Sequence, residues 1–412
     1  MSEATRKFKA GRALGVSALA CIAAVAGWHQ ASAQTTGPLK LGVLTDMSSL
    51  YADNGGPGSV VAAKMAVDDF GGSVLGKKIE IISGDHQNKA DTGSVITRRW
   101  IDNEGVEAIL DVPNSAVALA VQGITREKKK LFLATGAATS RLTGDECSPT
   151  GIQWTYDTYA LSQGTTKAIS KLGIKSWYFL SADYSLGAQL EADGRKVISA
   201  AGGQVIGSVK HPVNTPDFSS FLLQAQASKA EAIALADAGG DFINAVKQAG
   251  EFGMTKTQKR VGLLVFIADI HSLGLQSAQG LILSSAFYWD LNDGTRAWSR
   301  RFIDKTKKVP TMIHAGTYGA VMHYLKAVAA AGTVDGPTVA TKMREMPVND
   351  FMTRDGTIRE DGRLVRDMYL FRVKSPEESK YKFDYYQLLA TIPGNEAFRP
   401  LEEGGCPLLG KK

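Results

Sequence analysis

From Leu39 onward, short apolar runs alternate with longer stretches of helical period. Leu39–Thr45 (LKLGVLT) has the nearly continuous apolar character of a buried strand, and apolar positions in Gly58–Phe70 recur at helical spacing. Lys78–Ser83 alternates as a strand and Asp91–Asn103 turns helical. Val106–Val112, Ser115–Lys128 and Leu131–Thr135 then repeat strand, helix, strand. A second series follows: strand Lys175–Ala182, helix Leu186–Ala201, strand Gln204–Lys210, helix Phe218–Lys229, strand Ala230–Ala236, helix Asp241–Phe252, strand Val261–Ala268. Such alternation predicts parallel βαβ units with helices on both faces of a sheet. Two series in one chain predict an α/β protein of two doubly wound lobes. After Leu281–Tyr288 come longer helices, Thr295–Lys307, His314–Ala331 and Pro337–Glu345. The tail changes again: Thr357–Val365 holds a Glu360-Asp361-Gly362 turn, and Met368–Val373 and Phe383–Leu388 read as strands. This hairpin-rich tail is expected to edge one of the sheets.

The first 33 residues follow another pattern. Arg6, Lys7, Lys9 and Arg12 precede the apolar run Ala13–Gly27, and Ala31-Ser32-Ala33 is a small-x-small site that a signal peptidase accepts. Residues 1–33 therefore read as a signal peptide, and the protein as exported to the periplasm. The apolar run falls short of the roughly 20 residues that a membrane-spanning helix needs. The leader carries about half of the formal net charge of +6, and the remaining charges are interspersed. Without a basic stripe, nucleic acid is not an expected partner. Cys147 and Cys406 are the two cysteines beyond the leader. An oxidising compartment favours a disulfide between them over two free thiols.

Catalytic chemistry finds no footing. The chain has no G-x-S-x-G, H-E-x-x-H, C-x-x-C or G-x-G-x-x-G, and its histidines lack close ligand spacing. No catalytic residue, metal site or cofactor is expected. Gly71–Lys78 imitates a phosphate-binding loop but ends in Lys78 where a hydroxyl residue would hold Mg²⁺, and it runs from helix to strand. It reads as a helix stop and turn.

Binding chemistry is better represented. Ligands of open α/β sheets sit beyond the C-terminal strand ends, where helix N-termini present free amides. One such junction is Pro113-Asn114-Ser115-Ala116, and another is Gly136-Ala137-Ala138-Thr139-Ser140. Their small and hydroxylated residues suit a carboxylate, although ordinary capping uses the same types. Tyr51 and Tyr184 each follow a strand, one in each series, as aromatics of a cleft would.

The order Leu41-Gly-Val-Leu-Thr-Asp46, Asn114-Ser115, Ala134–Thr139 and Asp183-Tyr184-Ser185-x-Gly187 resembles the periplasmic solute-binding proteins of ABC importers, in the leucine/isoleucine/valine-binding group. The resemblance implies a type I binding-protein fold, two Rossmann-like lobes joined by three crossovers near Trp154–Asp157, Ala286–Trp289 and Met346–Asn349. Lobe 1 would comprise 34–155 with 288–347, and lobe 2 would comprise 156–287 with 348–412 and carry the tail. It also implies a monomer that delivers its ligand to an inner-membrane permease. Ser115, Ala137 and Thr139, with Asn114 and Ala138 beside them, would hold the ligand carboxylate, and Tyr51 and Tyr184 would close on it. Amino-acid binders of the group place a Tyr and a Glu against the α-amino group. Here those places read Ala236–Gly240 and Phe266–Asp269, so only Asp237 or Asp269 could substitute. A small carboxylate is the expected ligand, and Trp154, Tyr156 and Phe287–Trp289 resemble the branch of the group that binds aromatic carboxylates. An amino acid, an amide or an exported sensor role are the alternatives.

Overall fold

The chain's structure, a computed structural model, describes residues 37–254 and 257–410, and the expected signal peptide lies outside the described residues. The first series forms β1 (Leu39–Thr45), α1 (Gly56–Phe70), β2 (Ser73–Val74), β3 (Lys77–Asp85), α2 (Ala90–Asn103), β4 (Val106–Asp111), α3 (Ser115–Glu127), β5 (Leu131–Ala134) and β6 (Gly151–Gln153). Its sheet runs β2-β3-β1-β4-β5-β6, parallel apart from the β2–β3 pair. Both faces are covered, which is why these strands read as unbroken apolar runs. Leu41, Val43 and Leu110 enter one core, whereas Leu44, Ile109 and Phe132 enter another with Trp100 and Val117. Gly42 is required by that second core, since a Cβ there would stand 2.5 Å from the Trp100 ring. The imitation phosphate loop is the turn expected: Gly71, at φ 105°, caps α1 and leads into β2.

The second series forms α4 (Thr158–Ser170), β7 (Ser176–Ala182), α5 (Ser185–Ala200), β8 (Gln204–His211), α6 (Ser219–Ala227), β9 (Ala232–Ala236), α7 (Gly240–Glu251), β10 (Lys259–Gly262), α8 (Ile267–Leu273), α9 (Leu275–Ala278) and β11 (Ile282–Ser285). β10-β9-β7-β8 is a parallel sheet. The strand expected over Val261–Ala268 stops at Gly262, because the Asp269 carboxylate accepts the Phe266 amide (2.8 Å) and starts α8 there.

The chain then returns to the first sheet through α10 (Asp293–Thr306), α11 (Met312–Ala331) and α12 (Gly336–Glu345). Arg301 on α10 grips Asp69 on α1, and Val321, Leu325 and Met343 enter the first core. The tail is β12 (Thr357–Ile358), β13 (Leu364–Val365), β14 (Met368–Val373), β15 (Tyr386–Ile392) and α13 (Gly394–Ala397), with β11-β14-β15 antiparallel. The β12–β13 hairpin departs from expectation. Ile358 and Leu364 sit in the first core and Arg363 bridges to Gln153 of β6, so the hairpin extends the first lobe. Two-residue strands carry too little pattern to reveal this.

Cys147 and Cys406 form a disulfide, with Cα atoms 5.5 Å apart. Beside it Arg399 donates to the carbonyls of Ser140 (3.2 Å) and Thr143 (3.4 Å), tying the tail to the segment after β5. Among the described residues no helix is long and apolar enough to cross a membrane.

Candidate functional site

Three strand ends of the first lobe converge. After β1, the Asp46 carboxylate accepts the amides of Ser48 (3.3 Å), Ser49 (2.9 Å) and Tyr51 (2.8 Å) and the Asn88 side-chain amide (2.6 Å). Burial pushes this carboxyl up, but the Tyr51 amide and the Asn88 and Ser49 donors outweigh it and hold it below its ordinary value. Asp46 thus fixes the loop that carries Tyr51.

After β4 the backbone is strained. Asp111 (φ 76°) and Val112 (φ 58°) both occupy the left-handed region, costly above all for a β-branched residue. Asn114 then caps α3, its side-chain oxygen accepting the amides of Ala116 (3.0 Å) and Val117 (3.1 Å). That contact commits the Asn114 acceptor to the helix. Ser115 is wholly buried, and its Oγ has no hydrogen-bond partner among the described residues.

The loop after β5 lies against this one, for a Cβ at Gly136 would stand 2.4 Å from the Asp111 carboxylate and 2.9 Å from Pro113. Gln153 supports the loop by donating to the carbonyls of Ala137 (3.0 Å) and Thr139 (3.1 Å), and the Tyr156 hydroxyl donates to Gly136 (2.6 Å). With its carbonyls so held, no described residue takes the amides of Ala137, Ala138 or Thr139. Those amides and the Ser115 hydroxyl form a donor set at the N-terminus of α3, chemistry suited to an anion.

The second lobe presents Tyr184 at the start of α5, Asp237–Gly239 between β9 and α7, and Asp269 in the first turn of α8. The lobes are closed on each other. The Tyr51 and Tyr184 hydroxyls share a short hydrogen bond, and the Gly240 amide donates to Leu50 (3.5 Å). Tyr51, Ala138 and Tyr156 enter one apolar cluster with Ala238 and Phe266 of the second lobe. Burial, followed by the facing Tyr184, raises the Tyr51 phenol well above its ordinary value, so it stays a neutral donor. Beside these contacts lies a cleft of about 460 Å³, lined from one lobe by Ser49, Asp53 and Asn54 and from the other by Thr215, Asp241 and Asp269.

Tyr51 and Tyr184 thus meet, Ser115, Ala137, Ala138 and Thr139 gather at two adjoining strand ends, and Asp237 and Asp269 stand on the facing lobe. Gln153, Asp111 and His211 are residues that sequence reasoning did not single out, whereas Tyr156 reads there only as one of the aromatics flanking a crossover. Strand-end position would have found Asp111 and His211; nothing local marks Gln153.

Burial pushes the Asp269 carboxyl up to about 7 and the Asp241 carboxyl up to about 6. A carboxyl raised in the folded state stabilises fully below its unfolded value near 4, and that stability is lost as pH rises through 7. Burial holds His86 and His314 down at about 4, so they act oppositely, losing stability as pH falls below 6.5. The wild-type profile is a sum, and a difference isolates Asp269. The Asp269→Asn variant should gain about 2–4 kcal/mol relative to wild type between pH 4 and pH 8. Denaturant unfolding across that range checks it, and a pH-independent difference would contradict it.

Residues 38–380 match the family model described as periplasmic binding protein. The chain is similar to a periplasmic binding protein from Burkholderia mallei, at 48% identity and a TM-score of 0.89 over 90% of this chain and 99% of that one. It is similar to a branched chain amino acid ABC transporter periplasmic ligand-binding protein from Burkholderia xenovorans, at 44% identity and a TM-score of 0.81 over 90% and 99%. In fold it also matches an ABC transporter solute binding protein from Rhodopseudomonas palustris, solved with 3,4-dihydroxy benzoic acid, at 23% identity and a TM-score of 0.78 over 87% and 98%.

Proposed function

Because the chain belongs to the periplasmic binding protein family, we propose that it captures a small carboxylate, foremost an aromatic acid, between its lobes and delivers it to an inner-membrane ABC permease. It is an ABC-type solute-binding protein of the periplasm, in a family of transport components. The observation that carries the carboxylate reading is Ser115, whose buried Oγ finds no partner among the described residues at a helix N-terminus beside three amides that none of them takes. A polar atom so buried is costly unless something hydrogen-bonds to it, and an anion would. The aromatic reading is supported by the rings of Tyr51, Tyr156 and Phe266 in the shared cluster, and by the acid held by the Rhodopseudomonas neighbour. The protein acts as a monomer in this reading, with Tyr51 and Tyr184 closing over the ligand.

A thermal-shift panel of benzoate, benzamide and leucine tests it. A ligand present at a hundred times its Kd adds about 2.7 kcal/mol of stability. Benzoate should raise Tm and benzamide should not. Ser115→Ala should weaken benzoate about tenfold, as loss of a hydrogen bond to a charged group does. Equal shifts from acid and amide would remove the carboxylate site, and a shift from leucine alone would move the reading to branched-chain amino acids.

A further inference from the structure

Helix α5 meets the first lobe at its start, where the Tyr184 hydroxyl contacts that of Tyr51, and again further along at Asp193. At this second point the Ser140 hydroxyl, from the short turn Ser140–Thr143 that follows the carboxylate loop, donates to the Asp193 carboxylate (3.1 Å). The Thr158 hydroxyl donates to the same Asp193 oxygen (2.7 Å) and accepts the Ser140 amide (3.2 Å). The Thr158 amide in turn donates to the Ala138 carbonyl (2.7 Å). The other Asp193 oxygen accepts the Gln189 side-chain amide from within α5 (3.1 Å). Ser140, Thr158 and Asp193 are all buried. Since Thr158 opens α4, the network runs from the loop that offers its amides to a ligand, through the start of α4, into α5.

Neither helix formation nor burial favours an aspartate at this place. Asp193 stands inside α5 next to Gly194, and both types are weak helix formers. A buried carboxylate is costly unless donors surround it, and here the donors include one from the facing lobe.

We propose that Asp193 is a positioning residue, a buried latch that holds α5, and with it Tyr184, against the carboxylate loop in the closed molecule, so that a filled loop favours closure. This rests on the reading of that loop as the seat of the ligand carboxylate.

Of the three donors to Asp193, Gln189 and Thr158 belong to the second lobe and Ser140 to the first. A contact inside one lobe is present in the open and the closed molecule alike, so it cancels from the affinity. A contact between lobes is lost on opening and therefore adds to the affinity. Ser140 is set for this contact beforehand, because Thr158 takes its amide and Arg399 donates to its carbonyl (3.2 Å). Little further ordering is then needed when the hydroxyl meets Asp193. The ligand acts on the same segment, for an acid that takes amides in Ala137–Thr139 fixes the residues directly preceding Ser140.

Calorimetric titration with benzoate, and with leucine as a second carboxylate, tests the latch, with melting curves of the ligand-free proteins beside it. Ser140→Ala should weaken the acid that binds wild type about five- to tenfold and keep the preference for that acid over its amide. Asp193→Ala should weaken it at least as much. The double variant should fall no more than about twofold below Asp193→Ala alone, since both changes remove one contact. Gln189→Ala removes a contact inside α5 and should bind within about twofold of wild type. If Asp193→Ala does not fold, Ser140→Ala and Gln189→Ala decide. Wild-type affinity in Ser140→Ala, even with a lowered Tm, or an equal loss in Gln189→Ala, makes the network structural and overturns the latch. Loss of the acid-over-amide preference in Ser140→Ala places Ser140 in the carboxylate site itself and also overturns it. Each of these results leaves the carboxylate reading standing, whereas binding of neither acid by wild type overturns both.

Discussion

Replacing Gly239 with alanine is expected to weaken ligand binding about a hundredfold while each lobe stays folded. Gly239 has φ 62° and ψ −133°, a backbone conformation that glycine adopts freely and alanine does not. In the closed molecule its added Cβ would stand 2.4 Å from the Leu50 carbonyl oxygen and 3.2 Å from the Tyr51 ring. Leu50 belongs to the facing lobe, and a backbone carbonyl cannot turn aside as a flexible side chain would. Relief comes from parting the lobes, which also breaks the Gly240–Leu50 hydrogen bond and the Tyr51–Tyr184 contact. Apparent affinity falls with the closed fraction, and a penalty of about 2.7 kcal/mol corresponds to a hundredfold. Titration calorimetry gives the affinity, and small-angle scattering in saturating ligand reports whether the lobes close. An alanine variant that binds and closes like wild type would show that the contact does not govern closure.

The second large effect is on stability. The Cys147–Cys406 disulfide closes a loop with a sequence separation of 259 residues. The chain-entropy model assigns such a loop about 5 kcal/mol, and measured values usually fall below the model. The Cys147→Ser/Cys406→Ser double variant should therefore lose about 3–5 kcal/mol, a fall in Tm of roughly 5 °C for a chain of this size. The bond also anchors the segment that follows Thr139, and Arg399 grips Ser140 and Thr143 from the same tail. Ligand affinity should fall far less than stability, because Gln153 holds the Ala137 and Thr139 carbonyls without the help of the disulfide. Melting curves of the variant, and of wild type with and without reductant, check the expectation. An unchanged Tm would mean that the tail is secured without the bond.

The fold was legible where burial on both faces leaves a strong pattern. Strands such as Leu39–Thr45 and Val106–Asp111 show it because their apolar residues are shared between two cores, one on each face of the sheet. Legibility failed where strands are short or a side chain sets the boundary. The β12–β13 hairpin has two residues on each side, and Asp269 ends the β10 segment early by capping a helix. At the site, residues that follow strands in sequence were readable, as Tyr51, Ser115 and Tyr184 were. Residues that act from another element were not. Gln153 reaches the carboxylate loop from β6, and His211 meets Asp237 across β7, contacts that only the folded sheet creates. Asn114 illustrates a further limit, since its residue type suited both a ligand contact and a cap, and its oxygen is spent on the cap.

The central claim is that the closed cleft receives a carboxylate at the strand ends of the first lobe. A crystal structure grown with benzoate or a hydroxybenzoate tests it most directly. The carboxylate is predicted within about 3 Å of Ser115 Oγ and of amides in Ala137–Thr139, with the ring enclosed by Tyr51 and Tyr184. An acid bound with its carboxylate turned toward Asp237, or seated outside the interlobe cleft altogether, would contradict the account.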